Sequence, residues 1–296
     1  MISDGLATRL PMRPHRAPWC TRVTAALLLT LAAAAALAYA EAPATACPQH
    51  YADGRAPEIT KTRLAAKTRE ICFAAFGVMH SGVSRTPLWS AEHVTQTHLR
   101  DAKGLERVNA FHAEERLPAD ERAELRDYAR SGFDRGHLAP SADMPTPEAQ
   151  QESFSLSNMV PQDPNNNRHL WEGIEAAVRH LVTQRGELYV ITGPLFRGAS
   201  LTQLHGRVLV PTHLFKAIYD PRRGEAAAYL VENLATMTYA TVSLAELEDL
   251  AGLTLFPALP AAVTHTKMDL PEPHPHHGQS RPAASRSLLR ELLQTR

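Results

Sequence analysis

The stretch from Phe133 to Glu175 constrains this chain more than any other. It opens on Asp134-Arg135-Gly136-His137 and passes through Ser157-Asn158-Met159-Val160-Pro161-Gln162. It closes on Asn167, Trp171 and Glu175. Asp-Arg-Gly-His sets a carboxylate, a guanidinium, an unrestricted backbone and an imidazole side by side. Asn167, Trp171 and Glu175 follow at i, i+4 and i+8, which puts them on one broad helix face. Leu170, Ile174, Ala177, Val178 and Leu181 share that period and predict a helix over 167–184, ended by Gly186.

These residue types fit one kind of chemistry. A neutral imidazole at His137 is suited to general-base work near neutral pH. Asn167 offers a hard, uncharged oxygen, which suits Mg²⁺, an ion that keeps most of its waters. A carboxylate two turns on, at Glu175, can hold such water in place. Arg135 can stabilise charge on a transferring phosphoryl group. Each residue alone has a plainer reading: a turn with an ion pair, a helix cap, a core tryptophan, a solvated glutamate. The conjunction favours a single site.

The flanking chain is globular in composition, with 44% hydrophobic and 21% charged residues. Formal net charge is zero. The first 40 residues hold four Arg and one Asp, so the rest of the chain is slightly acidic. That argues weakly against nucleic acid as partner without excluding a local basic groove. Arg9, Arg13, Arg16 and Arg22 precede an Ala- and Leu-rich run ending at Ala38-Tyr39-Ala40. The pattern predicts a signal peptide over 1–40 and a periplasmic or secreted protein without stable membrane association after cleavage. An uncleaved anchor is the alternative. Cys47 and Cys72 would then pair in an oxidising compartment.

Residues 41–57 read as an extended lead-in. Glu70–Met79 and Thr86–Thr95 read as an antiparallel strand pair. Pro118–Arg130 reads as a surface helix and Thr146-Pro147 as a helix start. Phe154–Val160, Leu188–Thr192, Val208–Tyr219 and Ala226–Leu230 read as strands, and Glu246–Ala251 as a short helix. From 271 the chain turns rich in Pro and His and reads as a disordered tail, with a short helix expected over 287–293. His274, His276 and His277 within it read as part of a solvated linker rather than a transition-metal site.

The central stretch resembles the DNA/RNA non-specific endonucleases of the ββα-metal class. The family's Asp-Arg-Gly-His matches 134–137, and its Ser-Asn-x-x-Pro-Gln matches Ser157, Asn158, Pro161 and Gln162. Its metal helix, Asn-x-x-x-Trp-x-x-x-Glu, matches Asn167, Trp171 and Glu175, and that spacing selects Asn167 over Asn165 and Asn166. Weaker similarity extends over Thr86-Pro87-Leu88-Trp89, Thr192-Gly193-Pro194 and 211–216. The resemblance implies an α+β fold, a central antiparallel sheet flanked by helices, with the catalytic domain over 58–265. It also implies Mg²⁺-dependent hydrolysis of DNA and RNA with little sequence preference, Mn²⁺ being an alternative ion. His137, Arg135, Glu175 and Asn158 become the catalytic set, Asn167 the metal ligand, and Arg107 and Arg168 contacts to substrate.

Two rival readings remain. Cys72, His137 and Asn167 have the residue types and order of a Cys-His-Asn protease, but Cys72 lies in an apolar strand with Cys47 as a partner. A non-catalytic binder could keep the fold, against which stand intact His137, Asn167 and Glu175. Composition leaves the oligomeric state open.

Overall fold

The computed structural model describes residues 45–274 and 281–294. The predicted signal and the first residues of the lead-in lie outside the described residues, as do His276 and His277. No described helix is long and apolar enough to cross a membrane.

An eight-stranded sheet organises these residues. Its strands are β1 (Thr68–Cys72), β2 (Gly77–Ser81), β3 (Thr86–Thr95), β6 (Glu187–Leu195), β7 (His213–Asp220), β8 (Glu225–Glu232), β9 (Thr238–Val242) and the two-residue β10 (Ala283–Ala284). Their spatial order is β10-β9-β8-β7-β6-β3-β2-β1, with every pairing antiparallel except β9 with β10. Strands β4 (Asp134–His137) and β5 (Met159–Gln162) form a separate antiparallel pair. The helices used below are α1 (Gln96–Ala102), α2 (Pro147–Ser153), α3 (Glu172–Arg185), α4 (Leu244–Ala251) and α5 (Arg286–Gln294).

The sheet is covered on both faces, and strand alternation divides the cores. Along β8, Ala226, Ala228 and Leu230 join one cluster with Trp89 and Phe215. Ala227, Tyr229 and Val231 join the other, with Leu170, Trp171, Ile174 and Val178. A period of two sends successive side chains to opposite faces. The first cluster is closed by Leu247 and Leu250 of α4 and by Leu288 and Leu292 of α5. The second is closed by α3 and includes Leu138, Val160 and Trp171, which lie in or next to the three motifs.

Several local expectations hold. Thr146 caps α2, its hydroxyl accepting from Ala149 N, with Pro147 next. Gly186 ends α3 at φ 96°, a left-handed conformation open to glycine. Cys47 and Cys72 form a disulfide with Cα atoms 5.7 Å apart. That removes Cys72 as a nucleophile. Thiol labelling of the denatured, unreduced protein is expected to find neither cysteine free; two labelled thiols would refute the bridge.

Other expectations need correction. Residues 45–57 are not an extended lead-in: two short 3₁₀ turns, Pro48–His50 and Ala52–Gly54, bury Cys47, Tyr51 and Ala52 in the first core. Glu70–Met79 splits into β1 and β2, because Phe73–Phe76 makes the turn and stacks its two rings at 4.5 Å. Only Leu125–Tyr128 of the predicted surface helix is helical. Around it, ion pairs of Arg122 with Glu124 and Arg207 with Asp127 hold an irregular segment. Phe154–Val160 becomes a 3₁₀ turn, Leu156–Asn158, before β5. The predicted disordered tail is packed where it is described. Met268 N donates to Ala226 O, Tyr229 Oη to Pro271 O and His274 N to Gly173 O. A Cβ on Gly173 would meet the His274 carbonyl, so glycine there lets the tail cross α3.

Candidate active site

The site is built where the β4–β5 hairpin meets the helix that begins at Asn166. Register pairs Asp134 with Gln162 and Gly136 with Val160. Glycine at 136 has a steric cause: a Cβ there would overlap Gln162 Oε1. Gln162 Nε2 reaches on to Asn166 Oδ1 at 2.9 Å and so ties the hairpin to the helix start. Asn166–Trp171 is a π-helical turn that runs into α3. Such wide turns recur at functional sites.

Asp134 joins the two motifs. Its Oδ2 accepts from Asn167 Nδ2 at 3.0 Å. Arg168 adds a bidentate pair, Nε to Oδ2 at 2.8 Å and Nη2 to Oδ1 at 2.7 Å. Burial works against the Asp134 carboxylate, but Arg168, Asn167 and Arg135 together bring its pKa below the usual range. Asn167 commits its amide nitrogen to Asp134, and no described hydrogen bond uses its Oδ1, a hard oxygen acceptor. That fits an ion taking few protein ligands. Among the described residues, the one cluster of three His, Cys or acidic ligand atoms is Cys47, Glu70 and Cys72, at the disulfide. Arg168, expected to contact substrate, is held in this ion pair with Asp134.

His137 is buried. Its ring meets Phe154 edge-on at 4.9 Å and Phe111 at 5.8 Å. Its Nε2 has no hydrogen-bond partner. Burial, helped by the nearby Arg107 charge, pushes its pKa down to about 3, so the imidazole is neutral. Arg135 lies with Cζ 4.2 Å from the Phe111 ring centroid and its Nε unpartnered. Arg107 is exposed, held by Asn109 Oδ1 and Ser141 Oγ, both at 3.0 Å. Neither Arg135 nor Arg107 has a carboxylate partner among the described ion pairs, which leaves both for an anionic ligand.

Asn158 does something other than touch substrate. It is fully buried and every polar atom of its side chain is spent inside the protein. Oδ1 accepts from Ala139 N at 3.0 Å and Ser90 Oγ at 2.7 Å; Nδ2 donates to the carbonyls of Ala139 and Ser153, both at 2.9 Å. It fixes the chain that follows His137 and with it the placement of the imidazole.

Glu175 is half-buried on α3. Burial raises its carboxyl to about 7, while Lys216 and Arg179 pull it down and Asp143 and Glu172 push it up. Sequence reasoning passed over Arg179, which pairs with Asp143 at 3.1 Å. Its position four residues after Glu175 was the available signal. Asp143 and Glu92 were also passed over, with no local pattern pointing to them; Lys216 fell within the weak similarity over 211–216 but was given no role.

The sequence matches the family model for DNA/RNA non-specific endonuclease over residues 56–262. Nuclease C1 of Cunninghamella echinulata var. echinulata is 34% identical over 205 residues, covering 62% of this chain and 81% of that protein. Bovine mitochondrial endonuclease G is 31% identical over 274 residues, covering 86% and 84%. Among solved structures, an EndoG chain in complex with EndoGI superposes with a TM-score of 0.59 at 26% identity, covering 68% of this chain and 90% of that one.

Four further relatives, from zebrafish, human, fission yeast and budding yeast, are also named mitochondrial; the chain spans 52% to 62% of their lengths. These names overturn the expectation of a periplasmic or secreted protein, since the similarity points to mitochondrial enzymes. The motifs, the α+β sheet beneath them and the family match agree: the chain belongs to the DNA/RNA non-specific endonuclease family and is a metal-dependent nuclease of nucleic acid.

Proposed function

We propose that this protein hydrolyses phosphodiester bonds of both DNA and RNA with Mg²⁺, and with little sequence preference. The observation that carries the reading is the Asp134 carboxylate holding Asn167 Nδ2. It brings the imidazole-bearing strand and the metal-helix motif into one site across more than thirty residues of sequence.

The geometry supports the following roles. His137, neutral and with a free ring nitrogen, takes a proton from the attacking water. Arg135, its guanidinium stacked on Phe111, stabilises charge building on the phosphoryl oxygens. Arg107 holds the nucleic-acid backbone beside His137. Asn167 Oδ1 would hold the ion, and Glu175 is the carboxylate available to order water around it. Bound there, the ion supplies charge neutralisation at the scissile phosphate. Asn158 and Arg168 act on placement: one sets the segment after the base, the other holds Asp134. Arg135 and Arg107 are cations suited to phosphate oxygens, which carry no base identity, and this supports low sequence preference.

The direct test incubates the full chain with supercoiled plasmid and, separately, with single-stranded RNA. Both are expected to be degraded with Mg²⁺, to survive with a chelator, and to be degraded again on Mn²⁺ addition. Survival of both substrates with Mg²⁺ would overturn the reading. Survival of one would restrict it to a DNase or an RNase.

A further inference from the structure

A row of polar side chains crosses the middle of the sheet directly beneath the catalytic layer. Ser90 on β3 pairs with Thr192 on β6, Thr192 with Lys216 on β7, and Lys216 with Tyr229 on β8. All four are fully buried. Polar groups in a sheet interior are costly unless partnered, and the partners here are telling. Ser90 Oγ holds Asn158 Oδ1 at 2.7 Å. Lys216 Nζ donates to Thr192 Oγ1 at 2.7 Å and to the carbonyl of Leu138 at 3.3 Å. The same Nζ stands 5.3 Å from the Trp171 ring centroid. So the row touches the residue after the base, the asparagine that positions it, and the tryptophan of the metal helix. Lys216 is the only Lys or Arg in the buried set among the described residues.

Its neighbours in the chain, Leu214 and Ile218, point into the same apolar cluster. A methionine would fill that place without removing a charge from water. Buried ion pairs are weak stabilisers, so an ammonium kept here asks for a reason other than stability. The groups facing it supply one. Glu92 on β3 is 2% exposed, with Oε1 unpartnered. Burial drives its carboxyl well above the ordinary range, and Asp143, Lys216, Glu175 and Arg179 all act on it. Lys216 and Arg179 are the cations that oppose burial at Glu175. Arg179 is already bonded to Asp143 at 3.1 Å. Lys216 is also the donor shared by Leu138 O and Thr192 Oγ1.

We propose that Lys216 is a positioning residue for phosphodiester cleavage, holding the carbonyl after His137 and standing against the tryptophan of the metal helix. The inference rests on the hydrolytic reading above. Its effect is on the arrangement of base and metal helix, so it belongs in kcat rather than in substrate affinity.

The test compares Lys216→Met and Lys216→Arg with wild type, using a fluorescent oligonucleotide with Mg²⁺ and a thermal melt. Lys216→Met is expected to lower kcat by about tenfold or more with KM within about twofold. Lys216→Arg, which keeps a donor for the Leu138 carbonyl, is expected to recover part of that loss. Unchanged kcat in Lys216→Met, or a rise in KM alone, would overturn the inference. So would a Lys216→Arg variant no better than Lys216→Met. Should Lys216→Met fail to fold, Lys216→Gln is read by the same criteria, and unchanged kcat there refutes the role. The His137 ring signal in NMR, read without substrate, separates this inference from the hydrolytic reading. It must shift in Lys216→Met, or in Lys216→Gln where Lys216→Met does not fold, even in a preparation that cleaves nothing; an unmoved signal refutes the role.

Discussion

Replacing His137 by alanine lowers plasmid cleavage by roughly a hundredfold or more, the usual loss when a general base is removed. The melt is expected to change far less. Alanine gives up packing against Phe154 and Phe111, which costs stability. It also removes a buried ring nitrogen with no partner, which returns some. The variant should show a second signature in acid. The folded His137 binds its proton only near pH 3, whereas an unfolded histidine binds near 6.5. Between those values the unfolded state holds more protons, so wild-type stability falls as pH falls through that window. His137→Ala lacks this contribution and should lose stability less steeply over the same range. His50, His80 and His213, all shifted down by burial, keep the same sign in both proteins. Urea melts at pH 7 and pH 5 measure the difference. Wild-type cleavage by His137→Ala would remove His137 as the base; identical acid slopes would contradict its buried neutral state.

Asn167→Ala abolishes cleavage and weakens Mg²⁺ binding while leaving the fold in place. Its two neighbours separate cleanly in the structure. Asn165 is exposed, and Asn165→Ala should behave as wild type. Asn166 is fully buried, its Oδ1 accepting from Gln162 and its Nδ2 donating to Glu232 O at 3.0 Å. Spacing alone predicts a minor effect for Asn166→Ala. The structure revises that: losing two buried hydrogen bonds should cost about 1–3 kcal/mol of stability. Activity should fall with the folded fraction and return on cooling. Mg²⁺ titrations of cleavage rate, run with melts on all three variants, make the comparison. A dead but fully folded Asn166→Ala, beside an active Asn167→Ala, would move the ligand by one residue.

The sheet strands were legible where apolar residues alternate, as along β8, because one side chain in two must face each core. The helix over α3 was legible from its apolar period. Its start was not: the π turn over Asn166–Trp171 departs from the 3.6-residue spacing by which the motif was read. The 118–130 segment shows the opposite error. Helix-forming residues and a well-placed proline were overridden by long-range ion pairs such as Arg207 with Asp127.

The sequence by itself determined the family, because three short motifs set an imidazole, an amide oxygen and a carboxylate at the family's spacing. Tertiary structure alone decided what each neighbour does. Asn158 turns inward and Arg168 turns to Asp134 because buried amides and exposed guanidinium groups take the partners that packing puts within reach. Ser90, Thr192, Lys216 and Tyr229 lie far apart in the chain and form one row only through strand register. Register is set by which strands pair and by the cores on both faces, so no local pattern of residues contains it.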